Sequence, residues 1–346
     1  MKMSERGKCM QSDLAIDTGT SNTLIFTAGK GIVINEPSVI ALDREKEEIT
    51  AVGKTAYAML GRISPKKEVI FPIKEGVIAD YGTACDMLVT FLKKIMHISI
   101  VMPKTLICVP SEMTAVEKNA FASLINDCGI KRIGIIKQPV ASAMGAGIDI
   151  EDPHGAFIVS LGGGMADMAV ISLGGTAVTG TVRIAGNSMD DEIIKYIKQT
   201  YNIRIGRQTA EQAKINAGSV ISGTVAGTYT IKGKCMVTGM PVKADIDAEE
   251  LVKPLQKTAD IIIEKIQEVL VNTPPELIGD IHKDGIVLTG GLARLRGFDK
   301  YISNAVGLNV KVAEEPELCA IKGTGMAIKY MNSSKSKINP TITISN

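Results

Sequence analysis

The sequence predicts an α/β protein built from two related domains. The first observation is length, because 346 residues at about 150 residues per domain suggest two domains. The second is a repeated segment: LAIDTGTSNTLIFTAGKG, which begins at Leu14, is similar to FIVSLGGGMADMAVISLGG, which begins at Phe157. The third is the series of strand and helix candidates that lies between and after the two copies.

Each copy of the repeat has the pattern of a β-hairpin. A β-rich run is followed by a polar, glycine-rich turn and then by a second β-rich run, which is typical of a loop shaped for close backbone approach. In this alignment Asp17 matches Ser160 and Gly19 matches Gly162. A hairpin repeated after about half of the chain suggests two related domains that face each other. Chance similarity of two glycine-rich hairpins is the alternative that these residues leave open.

Several strands and helices are expected outside the hairpins. The strands are Ser38–Leu42, Lys104–Val109, a β-structure with a turn at 228–244, and Gly285–Leu288. The helices are 80–96 with Asp80 as N-cap, 114–127 with a Thr114/Glu117 capping box, a small-residue run at 140–147, two helices capped by Asn187 and Thr209, 249–272, and one from Phe298. The run at 140–147 (VASAMGAG) should pack very closely.

The composition excludes several classes of protein. Hydrophobic residues make up 45% and charged residues 22% of the chain, which excludes a disordered protein. The net charge of +2 gives no electrostatic case for nucleic acid, and the absence of Trp argues against base stacking. The six cysteines form no CxxC motif and the three histidines share no metal-ligand spacing, which argues against a zinc site and predicts a reducing, cytoplasmic compartment.

Three glycine-rich loops have the character of phosphate-binding loops: 17–22 (DTGTSN), 162–164 (GGG) and 290–291 (GG). Polyphosphates are held by backbone N–H groups in turns that lack bulky side chains. The chain has no Walker motif and no GxGxxG between a strand and a helix, so a P-loop or Rossmann fold is not expected. Together the three loops predict a polyphosphate site.

The chain resembles the MreB family of bacterial actins over residues 13–329. The motifs that carry the resemblance, in order, are IDTGTSNT, NEPSVIAL, GVIADY, QPVASAMGAG, GGGMADMAVISLGG, TAEQAK and IVLTGGLARLRG. The resemblance implies an actin-like fold with two RNase H-like domains, each carrying a smaller inserted subdomain, and a nucleotide cleft between them. Domain I is expected at 1–147 with an insert at about 33–75, domain II at 148–331 with an insert at about 185–248, and a flexible tail at 332–346.

The resemblance also implies ATP and Mg²⁺ as cofactors. Asp17 would hold Mg²⁺ through water, since this hard cation keeps its waters and suits one carboxylate plus phosphate oxygens. The residues implied to meet the phosphates are Thr20, Ser21, Asn22, Gly162, Gly163 and Gly164. Those implied to border the nucleoside are Glu211, Gln212, Ala213 and Lys214 on one side and Gly290, Gly291, Leu292 and Ala293 on the other. The alternatives are that Asp17 is only a turn carboxylate and that Glu211 and Lys214 form a weak surface ion pair.

Three positions depart from the family pattern. In the family the second phosphate loop usually reads DIGGGTTE, and a glutamate precedes the proline of the helical connection. Ser160 replaces a carboxylate that would assist Mg²⁺, Met165 replaces a threonine that would help to hold the attacking water, and Gln138 replaces the glutamate. Because a thioether donates no hydrogen bond and phosphoryl transfer depends on positioning, we expect nucleotide binding with weak or negligible hydrolysis. The alternative is that Gln138 and Asp167 position the water and restore turnover.

The resemblance implies an ATP-binding cytoskeletal protein that polymerises into filaments involved in cell shape. The alternatives are an actin-fold small-molecule kinase and a chaperone ATPase, for which the chain shows no acceptor pocket and no substrate domain. The expected partners are other copies of the chain and other bacterial actins, without nucleic acid. Peripheral membrane contact through Ile98, Ile100, Val101 and Met102 is one interpretation of that apolar loop, and inward packing is the other.

Overall fold

The computed structural model describes residues 13–95, 103–332 and 343–345. The elements of the first half are β1 Leu14–Thr18, β2 Asn22–Thr27, β3 Gly31–Pro37, β4 Ile40–Asp43, β5 Glu48–Val52, α1 Lys54–Met59, β6 Lys67–Ile70, β7 Ile73–Lys74, β8 Val77–Ile78, α2 Tyr81–Ile95, β9 Lys104–Val109, α3 Ala115–Asp127, β10 Arg132–Lys137 and α4 Gln138–Gly145. Those of the second half are β11 Ala156–Leu161, β12 Ala166–Ser172, β13 Gly175–Val182, α5 Gly186–Tyr201, β14 Ile203–Arg204, α6 Arg207–Ala217, β15 Thr228–Cys235, β16 Pro241–Asp247, α7 Val252–Val271, α8 Pro275–Asp284, β17 Ile286–Thr289, α9 Phe298–Val306, β18 Val310–Val312, α10 Cys319–Ala327 and β19 Thr343–Ser345.

Two large sheets repeat one strand order. The first runs β3-β2-β1-β9-β10, with an antiparallel meander β1–β3 and with β9 and β10 parallel to β1. The second runs β13-β12-β11-β17-β18, with an antiparallel meander β11–β13 and with β17 and β18 parallel to β11. The shared order confirms the prediction of two related domains.

The register places Asp17 and Ser160 at equivalent points of the two sheets. Asp17 lies opposite Leu24 on the hairpin partner and beside Cys108 on the parallel strand. Ser160 lies opposite Asp167 and beside Thr289 in the same way. The alignment of the two hairpins made from the sequence is therefore confirmed by the pairing.

A smaller sheet accompanies each large one. Strands β4, β5 and β6 form the first, which α1 covers, and strands β14, β15 and β16 form the second, which packs against α6. These small sheets lie within the ranges 33–75 and 185–248 that were expected to be inserts. The domain limits themselves stay a prediction.

Helices α4 and α10 cross in backbone contact. A Cβ added at Gly145 would overlap the carbonyl oxygen of Cys319, and one added at Gly323 would overlap the carbonyl oxygen of Ala141. Helix α10 also packs on β1 and β9, and α4 packs on β11 and β12 as well as on β9 and β10, so this pair of helices joins the two sheets. The small residues at 140–147 pack as closely as predicted. Helix α10, which the expected limits place in domain II, packs with the first sheet.

Two helix starts agree with local signals in the sequence. Thr114 and Glu117 form the predicted capping box, in which the Glu117 amide donates to Thr114 Oγ1 at 3.2 Å and the Thr114 amide donates to Glu117 Oε2 at 2.8 Å. The Thr83 amide donates to Asp80 Oδ1 at 3.0 Å, which is the expected cap of α2. Side chains near in sequence satisfy these amides, so the sequence reveals them.

Two other predicted caps are wrong. Helix α5 begins at Gly186 and α6 at Arg207, so Asn187 and Thr209 lie inside the first turns. The amides of Gly186 and Asn187 donate to the carbonyl oxygens of Gly162 and Gly163 at 3.3 and 2.7 Å. The first turn of α5 is thus satisfied by a loop from another part of the chain and needs no side-chain cap.

The C-terminal residues that the structure describes are ordered as a strand. Thr343–Ser345 forms β19 and pairs antiparallel with β10 at the edge of the first sheet. This differs from the expectation of a flexible tail over 332–346. The physical reason is that β10 is otherwise an edge strand with unpaired backbone groups, which a short strand can satisfy.

The residues expected to contact a membrane, Ile98, Ile100, Val101 and Met102, lie outside the described ranges. Among the helices that the structure does describe, none has both the length and the apolar character needed to cross a bilayer. Membrane contact through this loop stays a prediction.

Replacing Gly323 by alanine should destabilise the protein by about 1–3 kcal/mol, because the new methyl group overlaps a carbonyl oxygen of α4. Gly279→Ala in α8 is the matched control: a Cβ there meets nothing within 4 Å, and alanine is the better helix former by about 1 kcal/mol. Urea unfolding of both variants measures the difference. A Gly323→Ala protein as stable as the wild type would show that the crossing tolerates a wider spacing.

Candidate functional site

A cavity of about 530 Å³ opens between the two sheets, where the loops after β1, β11 and β17 meet. These loops follow strands at the same edge of each sheet, which is where α/β proteins commonly bind ligands. Most of the residues assigned to a nucleotide from the sequence line it. They are Asp17, Thr20, Ser21, Asn22, Gln138, Gly162, Gly163, Gly164, Glu211, Lys214, Gly290, Gly291 and Leu292.

The first two glycine-rich loops approach each other across the cavity. A Cβ at Gly163 would overlap Ser21 Oγ, and one at Gly164 would overlap Thr20 Oγ1. Only glycine fits at these two positions without moving the opposite loop. The arrangement exposes backbone amides and two hydroxyls to the same small volume, which suits an anion with several oxygens.

The third loop is held by its own backbone. Gly290 has φ +83° and its amide donates to the carbonyl oxygen of Pro316 at 2.7 Å. A side chain there would overlap the backbone of Leu161, so glycine is required for two reasons. Gly291 then opens a short 3₁₀ turn whose Leu292 reaches the cavity. The loop forms a wall of the site with little side-chain bulk.

Asp17 has the environment expected of a cation ligand. Its carboxylate is half-buried at the end of β1 and lines the cavity. Burial raises the pKa of Asp17 to about 7, and no hydrogen bond or positive charge from the described residues offsets that shift. A nearby cation would stabilise the ionised form of this buried carboxyl group. Among the described residues no three His, Cys, Asp or Glu side chains cluster as a metal site, so a metal here fits only as a shared ligand of Asp17 and phosphate.

Ser160 belongs to a closed group of hydroxyls. Its Oγ lies 2.9 Å from Ser142 Oγ, to which it donates, and 2.9 Å from Thr289 Oγ1. Only 2% of Ser160 is exposed. The position that matches Asp17 in the second sheet therefore carries no charge, and the polar atoms there satisfy one another.

Met165 packs across the cavity against the first half of the chain. It is buried, and its sulfur lies against Gly76 in the turn between β7 and β8, with Pro110 beside it. The Gly76 amide donates to Thr20 Oγ1 at 3.0 Å. The thioether thus covers a turn that contacts a phosphate-loop hydroxyl and brings no hydrogen-bond donor to it. Gln138, the first residue of α4, also lines the cavity.

Asp167 is not placed for the role considered from the sequence. Its side chain is fully buried and does not line the cavity. It accepts hydrogen bonds from the Ser111 amide at 2.8 Å, from Ser111 Oγ and from Thr181 Oγ1 at 2.8 Å. Burial raises the pKa of Asp167 to about 6 although these hydrogen bonds lower it. Asp167 joins β12 to the segment after β9.

Glu211 and Lys214 lie on one face of α6 but do not pair with each other. Lys214 Nζ donates to the Gly186 carbonyl oxygen at 2.7 Å and lies 2.7 Å from Asp190 Oδ1. Burial raises the pKa of Asp190 to about 6, against the opposing effect of Lys214. The weak surface ion pair considered as an alternative is therefore not formed. Gln212, which accepts from Asn216, and the buried residues Ala213 and Ala293 do not line the cavity.

The outer end of the cleft is bridged by residues that the sequence analysis missed. Tyr57 Oη donates to Glu211 Oε2, and Gln208 Nε2 donates to the Tyr57 carbonyl oxygen at 2.5 Å. Arg207 lies over the ring of Phe71, 5.6 Å from its centre. Burial and the Glu211 carboxylate raise the pKa of Tyr57. These contacts join α6 to α1 and to Phe71, which follows β6, over more than 130 residues of chain, and no local pattern in the sequence predicts them.

The geometry can be compared with known proteins. The family model described as MreB/Mbl protein matches residues 11–336. The cell shape-determining protein Mbl of Bacillus subtilis (strain 168) is 38% identical over 321 residues, which cover 92% of this chain and 96% of that protein. The cell shape-determining protein MreB of Escherichia coli (strain K12) is 37% identical over 327 residues, which cover 93% of this chain and 94% of that protein.

Solved structures agree with these relatives. MreB5 of Spiroplasma citri bound to AMPPNP has a TM-score of 0.89 and 36% identity, and the match covers 93% of this chain and 97% of that one. The MamK double helical filament, at 20% identity and a TM-score of 0.76 over 92% of this chain and 99% of that one, shares the fold. The expected actin-like fold is confirmed. The chain belongs to the MreB/Mbl family.

Proposed function

We propose that the protein is a cytoskeletal subunit that binds Mg-ATP in the cleft, polymerises in a nucleotide-dependent way and hydrolyses ATP weakly. The observation that carries the proposal is the pair of glycine-rich loops that oppose each other beside Asp17. Support comes from relatives named as cell shape-determining proteins and from MreB5 of Spiroplasma citri, which has been solved with AMPPNP and with ADP. Similarity over nearly the whole chain favours this function over a small-molecule kinase.

Different residues of the cleft bind different parts of the nucleotide. Backbone amides of the Thr20 and Gly163 loops and the hydroxyls of Thr20 and Ser21 hold the β- and γ-phosphates. Asp17 would hold Mg²⁺ through water, and the cation would neutralise charge on the phosphates. Lys214 and Glu211 border the nucleoside.

Weak hydrolysis follows from the wall of the cavity. Of the three altered positions, only Gln138 would offer the attacking water a polar group. Met165 offers a thioether, and the Ser160 hydroxyl is already hydrogen-bonded with Ser142 and Thr289. Asp167 is turned toward Ser111. Loss of one stabilising group typically costs ~10²–10³ in rate, and of the three altered positions two, Met165 and Ser160, lack the group that the family pattern supplies.

The proposed partners are further copies of this chain in a head-to-tail filament, other bacterial actins, and a membrane surface through Ile98, Ile100, Val101 and Met102. A heterologous contact of this kind propagates without closing. The proposed location is the cytoplasm, with the filament at the membrane when that loop is engaged.

Asp17→Ala should weaken Mg-ATP binding by at least about tenfold, equivalent to ~1.4 kcal/mol, and should abolish the difference between binding with Mg²⁺ and with a chelator. Asp191→Ala, which removes an exposed carboxylate of α5, is the matched control and should bind as the wild type does. Calorimetric titration with and without Mg²⁺ measures both. Equal affinity and equal metal dependence in wild type and Asp17→Ala would exclude this site.

Assembly should depend on closure of the cleft around the nucleotide and not on turnover. A non-hydrolysable ATP analogue is therefore expected to support filaments as well as ATP does, since a ligand acts through its differential affinity for the closed form. Pelleting and electron microscopy with analogue, ATP and no nucleotide test the proposal. Filaments seen with ATP but absent with the analogue would contradict it, and no filaments under any condition would contradict the cytoskeletal function.

The triple variant Met165→Thr, Ser160→Asp and Gln138→Glu should raise phosphate release by at least about tenfold, which is ~1.4 kcal/mol of barrier. The hydroxyl groups of Ser142 and Thr289, which contact Ser160 in the wild type, can donate hydrogen bonds to the new carboxylate. The three groups act on one water and metal network, so single changes should do little and the effects should be non-additive. Steady-state phosphate release at saturating Mg-ATP measures this. A wild type as fast as the triple variant would refute weak hydrolysis.

A further inference from the structure

A bridge of side chains crosses the outer end of the cleft between α1 and α6. Tyr57 Oη donates to Glu211 Oε2, and Gln208 Nε2 donates to the Tyr57 carbonyl oxygen at 2.5 Å. Beside them Arg207 covers the ring of Phe71. All five residues are half-buried. Of the five, Glu211 also lines the cavity, so one carboxylate belongs both to the bridge and to the proposed nucleotide site.

The α6 end of the bridge is connected to the second phosphate loop. Lys214 lies three residues after Glu211 on the same face of α6, and its Nζ donates to the Gly186 carbonyl oxygen at 2.7 Å. The Gly186 amide in turn donates to the carbonyl oxygen of Gly162 at 3.3 Å. Asp190, 2.7 Å from Lys214 Nζ, fixes the lysine further, and both side chains are largely buried. The position of Glu211 is therefore coupled to that of the loop.

The α1 end of the bridge is connected to the first phosphate loop. The Ser38 amide donates to the Ser21 carbonyl oxygen at 2.9 Å, and the Ser38 hydroxyl donates to the Gly19 carbonyl oxygen at 2.6 Å. The next residue, Val39, accepts from the amide of Gly53 at 2.9 Å, and Gly53 immediately precedes α1. The bridge thus closes a ring of contacts that includes both phosphate loops.

The contact with Tyr57 leaves part of the Glu211 carboxylate free for a ligand. A carboxylate has about four lone-pair sites on its two oxygens, and the Tyr57 hydroxyl uses one of them on Oε2. Burial and the Glu211 carboxylate raise the pKa of Tyr57, so its hydroxyl stays protonated and acts as the donor. A carboxylate that is already held in place loses less rotamer freedom when a ligand donates to it. The bridge and a bound nucleotide therefore favour each other.

We propose that Tyr57 is a positioning residue of the nucleotide site, whose hydrogen bond to Glu211 keeps the outer end of the cleft closed and limits the rate of nucleotide release. The inference rests on the proposed binding of nucleotide in the cleft. Bound phosphates hold the two glycine-rich loops together, and the ring of contacts transmits this restraint to α1 and α6. Opening the cleft then requires the bond between Tyr57 and Glu211 to break. Because such coupling is reciprocal, loss of the bond weakens the hold on the nucleotide.

Tyr57→Phe removes one oxygen and keeps the ring, and it should speed nucleotide release by at least about fivefold, because a hydrogen bond to a charged group is lost. The probe is etheno-ADP with Mg²⁺, which carries its label on the base and leaves the ribose free. Stopped-flow fluorescence follows its displacement by excess ADP, under conditions in which the chain does not pellet. Tyr81→Phe is the matched control, because Tyr81 Oη donates to Asp127 Oδ2 at 2.6 Å between α2 and α3. The control should release the probe as the wild type does.

A double-mutant cycle separates positioning from a general loosening of the fold. Glu211→Ala removes the acceptor, so adding Tyr57→Phe to it should change the release rate by less than about twofold. Release from Tyr57→Phe at the wild-type rate, equal acceleration by Tyr81→Phe, or undiminished acceleration in the Glu211→Ala protein would overturn the inference and leave the nucleotide site standing. A wild type that binds no etheno-ADP would overturn both the inference and the proposed function.

Discussion

The close crossing of α4 and α10 is the constraint on which the site depends. Gly145 and Gly323 let the two backbones touch, and α10 then packs on the first sheet while α4 packs on both. Since the loops after β1 and β11 leave those sheets at equivalent points, the crossing sets the distance between the two phosphate loops. A wider crossing would separate Ser21 from Gly163, and the cavity would lose its opposed donors. The small residues of α4 are therefore as much a part of the site as the residues that line it.

The cleft is tied at both ends, and the two ties differ in chemistry. At the inner end Met165 packs on Gly76, an apolar contact that tolerates small displacements. At the outer end Tyr57 and Gln208 form directional hydrogen bonds between α1 and α6. Hydrogen bonds of this kind are lost when the partners move by little more than an ångström. Opening of the cleft is thus expected to begin at the outer end, where Glu211 also meets the cavity.

Local features were predictable from the sequence, whereas features fixed by distant residues were not. The hairpins, the Thr114 capping box and the glycine loops could be predicted because residues close together in the sequence determine them. The cap at Asn187 was wrong because the 162–163 loop satisfies the start of α5, and the cap at Thr209 was wrong because α6 begins two residues earlier, at Arg207. The role considered for Asp167, positioning the attacking water, does not fit the structure, because its carboxylate accepts a hydrogen bond from Ser111, 56 residues away. The packing of α10 with the first sheet and the Tyr57 bridge likewise need the fold, since no pattern of spacing encodes them.

In the proposed function, Ser160 is the position at which binding and hydrolysis separate. A carboxylate there would have to be neutralised by metal or protons, whereas the hydroxyl is satisfied by Ser142 and Thr289 at no electrostatic cost. The two loops, the α4–α10 crossing and Asp17 do not depend on that charge. In the proposed function, removing that charge leaves the cavity in place and withdraws only a group that would act on Mg²⁺ and on the attacking water. A chain under selection for assembly could therefore keep the cleft and lose turnover, because the contacts that sense the nucleotide are not those that would break it.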